Sequence, residues 1–151
     1  QNEPLTDFAR AENRDRMAAA LKQVRAQFGR TYTPVIDNKP VSGGKLTDSV
    51  NPSRKSEVVG KVAHATVEQA NAAVASCLKA FDGWRDTPVE ERAAFLRRVA
   101  QQFRDRRFEL AAWIVFETGK PWRESDADVA EAIDFCDYYA AEMLKLDAPH
   151  V

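Results

Sequence analysis

The sequence predicts part of an α/β protein, made of a helix, a few short strands with a hairpin, and then four mainly helical segments. Apolar residues recur at helical spacing through most of the chain. Runs of β-forming residues are few and short, and glycine or proline bounds them. The last helix is apolar on two sides, which indicates that both sides are covered. A sheet of two or three strands is marginal without cover, so we expect the chain to be incomplete on its own.

The first part of the chain carries one helix and a set of short strands. The helical pattern covers residues 11–28, and Gly29 stands where a helix ends. Residues 32–37 and 41–46, joined by a turn at 38–40, indicate a hairpin of modest regularity. A further strand is predicted over residues 57–62.

Four helical segments follow, and two of them begin with a capping signature. Thr66 and Gln69 have the spacing of a capping box. Thr87 precedes a proline at the first helical position and a glutamate at the third, which predicts another helix start. The fourth segment is expected after a helix stop at Gly119. The helix that begins at Thr66 is predicted to bury six apolar residues: Ala70, Ala73, Val74, Cys77, Leu78 and Phe81.

The last helix carries the main candidate for a functional residue. One predicted apolar stripe consists of Val129, Ile133, Cys136, Ala140 and Met143. A second stripe, Glu131, Phe135 and Tyr138, places a carboxylate among aromatic rings, where burial is costly without a partner. Glu131 is therefore the candidate for chemistry or ligand binding, and the alternative is a rim carboxylate paired with a nearby arginine.

Composition excludes several classes of partner. The chain is 44% hydrophobic and 30% charged with a net charge of −1, which offers no positive field for nucleic acid or a membrane surface. Arginines cluster at 97–98 and 104–107 at helical spacing among carboxylates, which favours a solvated helix face. The two cysteines, Cys77 and Cys136, are expected to be buried structural thiols. With no apolar run long enough for a bilayer and no visible signal peptide, a cytoplasmic location is expected.

The sequence contains almost none of the motifs that mark known catalytic or ligand-binding sites. It contains no glycine-rich dinucleotide or phosphate loop, and Ser42-Gly43-Gly44 is too short to hold a phosphate. His64 and His150 are isolated, so neither a metal site nor a nucleophile–base pair can be argued from them. From the residues alone, the chain is the helical lead-in to a larger α/β protein.

Three stretches together resemble the amino-terminal part of an aldehyde dehydrogenase. They are VNP at 50–52 followed by EVVGKV at 57–62, the helix pair that contains Trp84, Arg92 and Leu96, and ETGKP at 117–121. The resemblance covers residues 32–139. It implies that residues 1–30 are an amino-terminal extension and that 31–151 are the first part of the NAD-binding domain, truncated before the dinucleotide-binding core and the catalytic domain.

Two features resemble the branch that oxidises L-glutamate γ-semialdehyde, which forms from 1-pyrroline-5-carboxylate. The first is the lead-in NEP at 2–4 with its helix ending in FGR at 28–30, and the second is DVAEAIDF at 128–135 followed by the tyrosines at 138–139. In that branch the glutamate that matches Glu131 lies beside the substrate tunnel, near the amino end of the semialdehyde. Some relatives bind a monovalent cation near the positions of Ser49 and Glu117, although Glu117 replaces the usual aspartate.

The resemblance also implies an activity that this chain cannot complete. In the family a cysteine attacks the aldehyde, hydride passes to NAD, and a glutamate activates the water that releases the acid. Those residues and most of the NAD site would lie downstream, so no catalytic residue is assigned here. The whole protein would act on a small molecule as a homo-oligomer. The rival interpretation is a truncated, non-catalytic helical fragment or interaction module.

Overall fold

The computed structural model describes residues 2–147. The helices are α1 (Ala11–Arg25), α2 (Val67–Arg85), α3 (Val89–Asp105), α4 (Arg107–Thr118) and α5 (Trp122–Asp147). The strands are β1 (Thr31–Tyr32), β2 (Val35–Ile36), β3 (Lys39–Pro40), β4 (Leu46–Val50) and β5 (Val58–Ala63). These elements form two compact units, a helical unit (Gln1–Ala26 with Thr87–Val151) and a strand unit (Gln27–Asp86). The order of helix, short strands and four helical segments is the predicted one.

In the helical unit, α5 packs along α3, and α4 packs against both α1 and α5. Seven of the thirteen buried apolar residues that the structure describes in this unit are alanines. The core residues of this unit are Met17, Ala20, Val24, Val89, Ala93, Ala100, Ala111, Ala112, Phe116, Val129, Ala130, Ile133 and Ala140. The first predicted stripe of α5 therefore faces the core, with Cys136 and Met143 half-buried at its margin.

The other predicted stripe of α5 is exposed. Phe135 is 51% and Tyr138 58% accessible among the described residues, so the expected cover on both sides is found on one side. Periodicity identifies both faces of a helix, but it cannot say whether a partner for each face is present.

Gly119 ends α4 as predicted. Its φ of +74° is a left-handed conformation that glycine adopts without steric cost, and its N–H donates to the carbonyl of Val115 at 3.0 Å. Gly29 has a similar φ of +76°, but α1 already ends at Arg25 and a turn fills the residues between.

The strand unit contains a three-stranded sheet with β5 at its centre, parallel to β1 and antiparallel to β4. Strands β2 and β3 form a separate two-residue hairpin. Its turn lies at Asp37 and Asn38, whose φ angles of 52° and 59° are those of a type I′ turn. The turn therefore precedes the predicted position at 38–40 by one residue, and Lys39 and Pro40 belong to the second strand.

The glycine pair at 43–44 has a packing role. A Cβ atom on Gly43 would lie 2.3 Å from the Cβ of Ala63, closer than any side chain tolerates. Gly44 donates its N–H to the carbonyl of His64 at 2.8 Å. Close approach of this segment to the end of β5 thus explains why glycine is needed here.

The predicted burial of α2 is wrong. Its capping box forms, with reciprocal bonds between Thr66 and Gln69, but none of its residues is buried. Leu78 is 69% and Phe81 54% accessible, and Cys77 is exposed as well. A helical pattern defines an apolar face from sequence neighbours alone, whereas burial depends on what packs against that face. None of the helices within residues 2–147 combines the length and apolarity needed to cross a bilayer.

Candidate functional site

A cavity of about 550 Å³ lies in the helical unit, between one face of α5 and the first residues of the chain. Its walls combine acidic, amide and aromatic side chains: Asn2, Glu131, Asp134, Phe135, Asp137 and Tyr138. Glu131, Phe135 and Tyr138 line it together because spacings of four and three residues place them on one helix face.

The Glu131 carboxylate is exposed in this cavity. Within residues 2–147 no arginine or lysine forms an ion pair with it, so the arrangement differs from a rim carboxylate paired with arginine. Nearby, Lys120 is held by Asp128 at 2.6 Å. That bond raises the pKa of Lys120, and the charges of Asp128, Glu124 and Glu131 raise it further.

The other two carboxylates of the cavity are occupied. Asp134 accepts the backbone N–H of Glu3 at 2.7 Å. Asp137 pairs with the Arg104 guanidinium, also at 2.7 Å. Glu131 is therefore the carboxylate in this wall that is open to a ligand.

The aromatic residues of α5 are in contact with one another. Tyr139 stacks on Phe135 with ring centroids 6.0 Å apart and meets Tyr138 edge-on at 5.3 Å. The faces of aromatic rings attract cations, and so do carboxylates. The chemistry of this cavity therefore suits an organic cation such as an ammonium group.

Next to the cavity, residues 2–7, the amino-terminal strap, are bound to α5 through a buried aspartate. Asp126 is 2% accessible and receives both the N–H and the hydroxyl of Thr6 at 2.7 Å. Arg107 binds the same carboxylate with two parallel bonds of 2.6 and 2.8 Å. A bidentate pair of this kind is strong and directional.

Glu3 extends this network to a second arginine. One of its carboxylate oxygens pairs with Arg104 at 2.9 Å and the other with Arg107 at 3.2 Å. The sequence interpretation placed arginines 104–107 on a solvated face, which is wrong for these two. Their shared carboxylate partner, Glu3, lies about a hundred residues away along the chain, and no local pattern indicates this pairing.

The charge state of Asp126 follows from two opposing effects. Burial raises the pKa of its carboxyl group, but the bonds from Arg107 and Thr6 lower it more, and the pKa lies below its usual value. Asp126 is therefore ionised at neutral pH and is the anion to which Thr6 of the strap is bound.

Cys136 does not resemble a nucleophile. Burial raises the pKa of its thiol, and the nearby Asp137 raises it further, so the reactive thiolate is disfavoured at neutral pH. It is half-buried, which is compatible with the structural role expected of it, whereas the burial expected of Cys77 is not observed.

The remaining sequence candidates lie elsewhere. Ser49 is in β4 of the strand unit and Glu117 is in the last turn of α4 of the helical unit, so the monovalent-cation site stays a prediction. His64 lies 2.6 Å from the Thr47 hydroxyl through its Nε2 atom. His150 is outside the described residues. Among those residues no group of three or more His, Cys, Asp or Glu side chains could hold a metal.

Comparison with known proteins identifies one family. Residues 39–151 match the sequence model of the aldehyde dehydrogenase family. A curated relative, 1-pyrroline-5-carboxylate dehydrogenase of Geobacillus kaustophilus, is 49% identical over 146 residues, covering 97% of this chain and 28% of its own length.

Solved structures have the same fold. A 1-pyrroline-5-carboxylate dehydrogenase from Thermus with bound NAD superimposes with a TM-score of 0.96 at 44% identity, over all of this chain and 29% of its own. Proline utilization A from Bdellovibrio bacteriovorus, inactivated by N-propargylglycine, superimposes with a TM-score of 0.98 at 43% identity, over 99% of this chain and 16% of its own. The chain thus spans less than a third of each of these proteins and has the amino-terminal portion of their fold.

Proposed function

The chain belongs to the aldehyde dehydrogenase family, and on this premise we propose that its parent protein oxidises L-glutamate γ-semialdehyde to L-glutamate with NAD as the acceptor. Relatives named 1-pyrroline-5-carboxylate dehydrogenase support this substrate, because L-glutamate γ-semialdehyde is the open-chain form of 1-pyrroline-5-carboxylate. The Thermus relative with bound NAD supports the cofactor.

The observation that carries the proposal is the Glu131 cavity. The substrate bears an ammonium group at the end remote from its aldehyde. Glu131 offers a carboxylate without an ion-pair partner in residues 2–147, in the same cavity wall as the exposed rings of Phe135 and Tyr138. A charge-assisted hydrogen bond in such a wall recognises an ammonium and orients the aldehyde at the opposite end.

The residues of this chain are proposed to bind and orient rather than to react. Residues 2–147 contain no glycine-rich phosphate loop, so they do not fit a dinucleotide by themselves, and NAD would be held mainly by other segments. NAD supplies the two-electron acceptor for the oxidation. With the nucleophile and the water-activating base assigned elsewhere, the 151-residue chain alone is inactive.

The other predictions remain part of the proposal. Residues 1–30 form an extension and 31–151 the first part of the NAD-binding domain, and Ser49 with Glu117 contributes to a monovalent-cation site. The parent protein works as a homo-oligomer in the cytoplasm on a small-molecule substrate, without nucleic acid or membrane partners.

A matched pair of substrates tests the function. The whole protein is assayed with NAD and either glutamate γ-semialdehyde or 5-oxopentanoate, which keeps the aldehyde and carboxylate but lacks the ammonium. We expect kcat/KM to favour the semialdehyde by about tenfold or more, since a charge-assisted hydrogen bond contributes roughly 1.5–3 kcal/mol. Equal values for the two substrates would contradict recognition of the ammonium.

A further inference from the structure

We propose that the amino-terminal strap, residues 2–7, is a positioning element of the Glu131 cavity, which Glu3 holds in place through Arg104 and Arg107. This inference rests on the proposed function, because the cavity is taken as the site of the substrate's ammonium. It assigns a role to residues that do not themselves bind the substrate's ammonium, as Glu131 is proposed to do.

The strap forms part of the cavity wall itself. Asn2 lines the cavity opposite the acidic face of α5, and a neighbouring cleft of about 480 Å³ also has Asn2, Glu3 and Glu131 in its walls. The strap thus separates two openings that share the Glu131 carboxylate. Any movement of the strap changes the shape of both.

Three separate attachments hold the strap against α3, α4 and α5. At its start, the N–H of Glu3 donates to Asp134, a residue of the cavity wall. The carboxylate of the same residue bridges Arg104 of α3 and Arg107 of α4. Towards its end, Thr6 donates twice to the buried Asp126.

The attachments also determine the charge available in the cavity. Arg104 binds Glu3 with one part of its guanidinium and Asp137, a cavity residue, with another. If Glu3 no longer held Arg104, Asp137 alone would hold the guanidinium, which would then be able to turn towards the other carboxylates of the wall and compete with a bound ammonium. Glu3 therefore positions both the backbone next to Asn2 and the guanidinium that pairs with Asp137 of the cavity wall.

Glu3→Gln in the whole protein tests this role, because it keeps the size of the side chain and removes its charge. We expect KM for glutamate γ-semialdehyde to rise about tenfold, as displacement of a binding wall by an ångström or less can do. The kcat value and the KM for 5-oxopentanoate should stay unchanged. The matched control is Glu109→Gln, which removes the charge of another Arg–Glu pair of the helical unit, outside the cavity. It should change neither KM.

A double-mutant cycle separates positioning from general stability. If Glu3 acts through the Glu131 cavity, Glu3→Gln adds little to the effect of Glu131→Gln, whereas independent effects would multiply. Multiplying effects, or equal KM increases for both substrates, would overturn the inference. Should Glu3→Gln fail to fold, Thr6→Val, which removes one bond to Asp126, is measured in the same way.

The outcomes distinguish this inference from the proposed function. A wild-type enzyme that does not prefer the semialdehyde overturns the function, and the inference with it. A wild-type enzyme with that preference, combined with a Glu3→Gln variant of unchanged KM, overturns the role of the strap alone.

Discussion

At the scale of single residues, the site is defined by which carboxylates have partners and which do not. Asp126, Asp134 and Asp137 are all engaged by the strap or by arginines of α3 and α4. Glu131 lies on the same helix, exposed beside aromatic rings, and no ion pair holds it within residues 2–147. A carboxylate left open in this setting is suited to bind a cationic ligand.

Glu131→Gln in the whole protein should raise KM for glutamate γ-semialdehyde by about ten- to more than a hundredfold. KM for 5-oxopentanoate should change little, because this substrate has no ammonium to bind. Glu131→Ala, compared with Glu131→Gln, separates the loss of charge from the loss of packing. The control is Glu124→Gln on the same helix, outside the cavity lining. Equal increases for both substrates would show that Glu131 supports the fold instead.

Asp126 has the opposite character, since it is buried and fully bonded. Its folded-state pKa lies below the ordinary value of 3.8, so its contribution to stability is complete above that pH. The contribution is lost as the pH falls through the lower folded-state pKa.

Asp126→Asn should lower the free energy of unfolding at pH 7 by about 3 kcal/mol, since it leaves Arg107 without its buried partner. The difference in free energy of unfolding between variant and wild type should narrow as the pH falls below 3.8, the ordinary pKa of the carboxyl group. Urea unfolding followed by circular dichroism measures the free energy of unfolding of the variant and of the wild type at each pH. Asp82→Asn, which breaks an exposed pair with Arg85, serves as the control and should cost under about 1 kcal/mol. A difference that stays constant with pH would contradict the ionised, paired state of Asp126.

At the scale of elements, the residues near a helix end determine where the helix stops, whereas they do not determine whether its apolar face is buried. Gly119 ends α4 in the left-handed conformation, and Thr66 caps α2 with Gln69. The apolar face of α2, in contrast, is exposed over Val74, Leu78 and Phe81. An end is determined by backbone groups a few residues apart, whereas a covered face needs another element.

Replacing glycine by alanine should therefore change the free energy of unfolding in opposite directions at two positions. Gly119→Ala places a Cβ atom at a φ of +74° and should destabilise the protein by about 1–2 kcal/mol. Gly83→Ala lies inside α2, where an added Cβ atom meets nothing within 4 Å, and should stabilise it by about 0.5–1 kcal/mol. Urea unfolding of both variants measures these changes. Effects of the same sign would contradict the conformational explanation.

At the scale of the whole molecule, the chain spans less than a third of the relatives it matches and exposes much apolar surface. Large hydrophobic side chains with more than half of their surface accessible occur in both units: Val35, Val67, Val74, Leu78, Phe81, Trp84, Phe135, Tyr138, Tyr139 and Leu146. Contiguous exposed apolar surface is typical of a face that packs against another segment or subunit.

The 151-residue chain alone should therefore bind a dye specific for apolar surface, self-associate, and oxidise no semialdehyde in the presence of NAD. Dye fluorescence, sedimentation and an NADH absorbance assay measure these properties. A monodisperse monomer without dye binding and with cooperative unfolding would indicate a self-sufficient domain. Turnover that is abolished by Cys136→Ala would contradict the assignment of catalysis to other segments.

Features that depend on residues close together in the chain can be predicted from the sequence. The order of elements, the stop at Gly119, the capping box at Thr66 and the core stripe through Val129, Ile133 and Ala140 are confirmed. So is the grouping of Glu131 with Phe135 and Tyr138, which follows from helical spacing. The resemblance to the aldehyde dehydrogenase family, carried by short motifs, is confirmed as well.

Which helix faces are covered and which charges are paired depends on contacts between segments that are distant in the sequence. Asp126 meets Arg107 across 19 residues of sequence and Thr6 across 120, and Glu3 meets Arg104 across 101. Local periodicity carries no information about such distant partners, and for this reason it wrongly predicts a solvated face for Arg104 and Arg107 and a buried face for α2. Packing between distant segments determines burial, and burial determines whether a charge needs a partner.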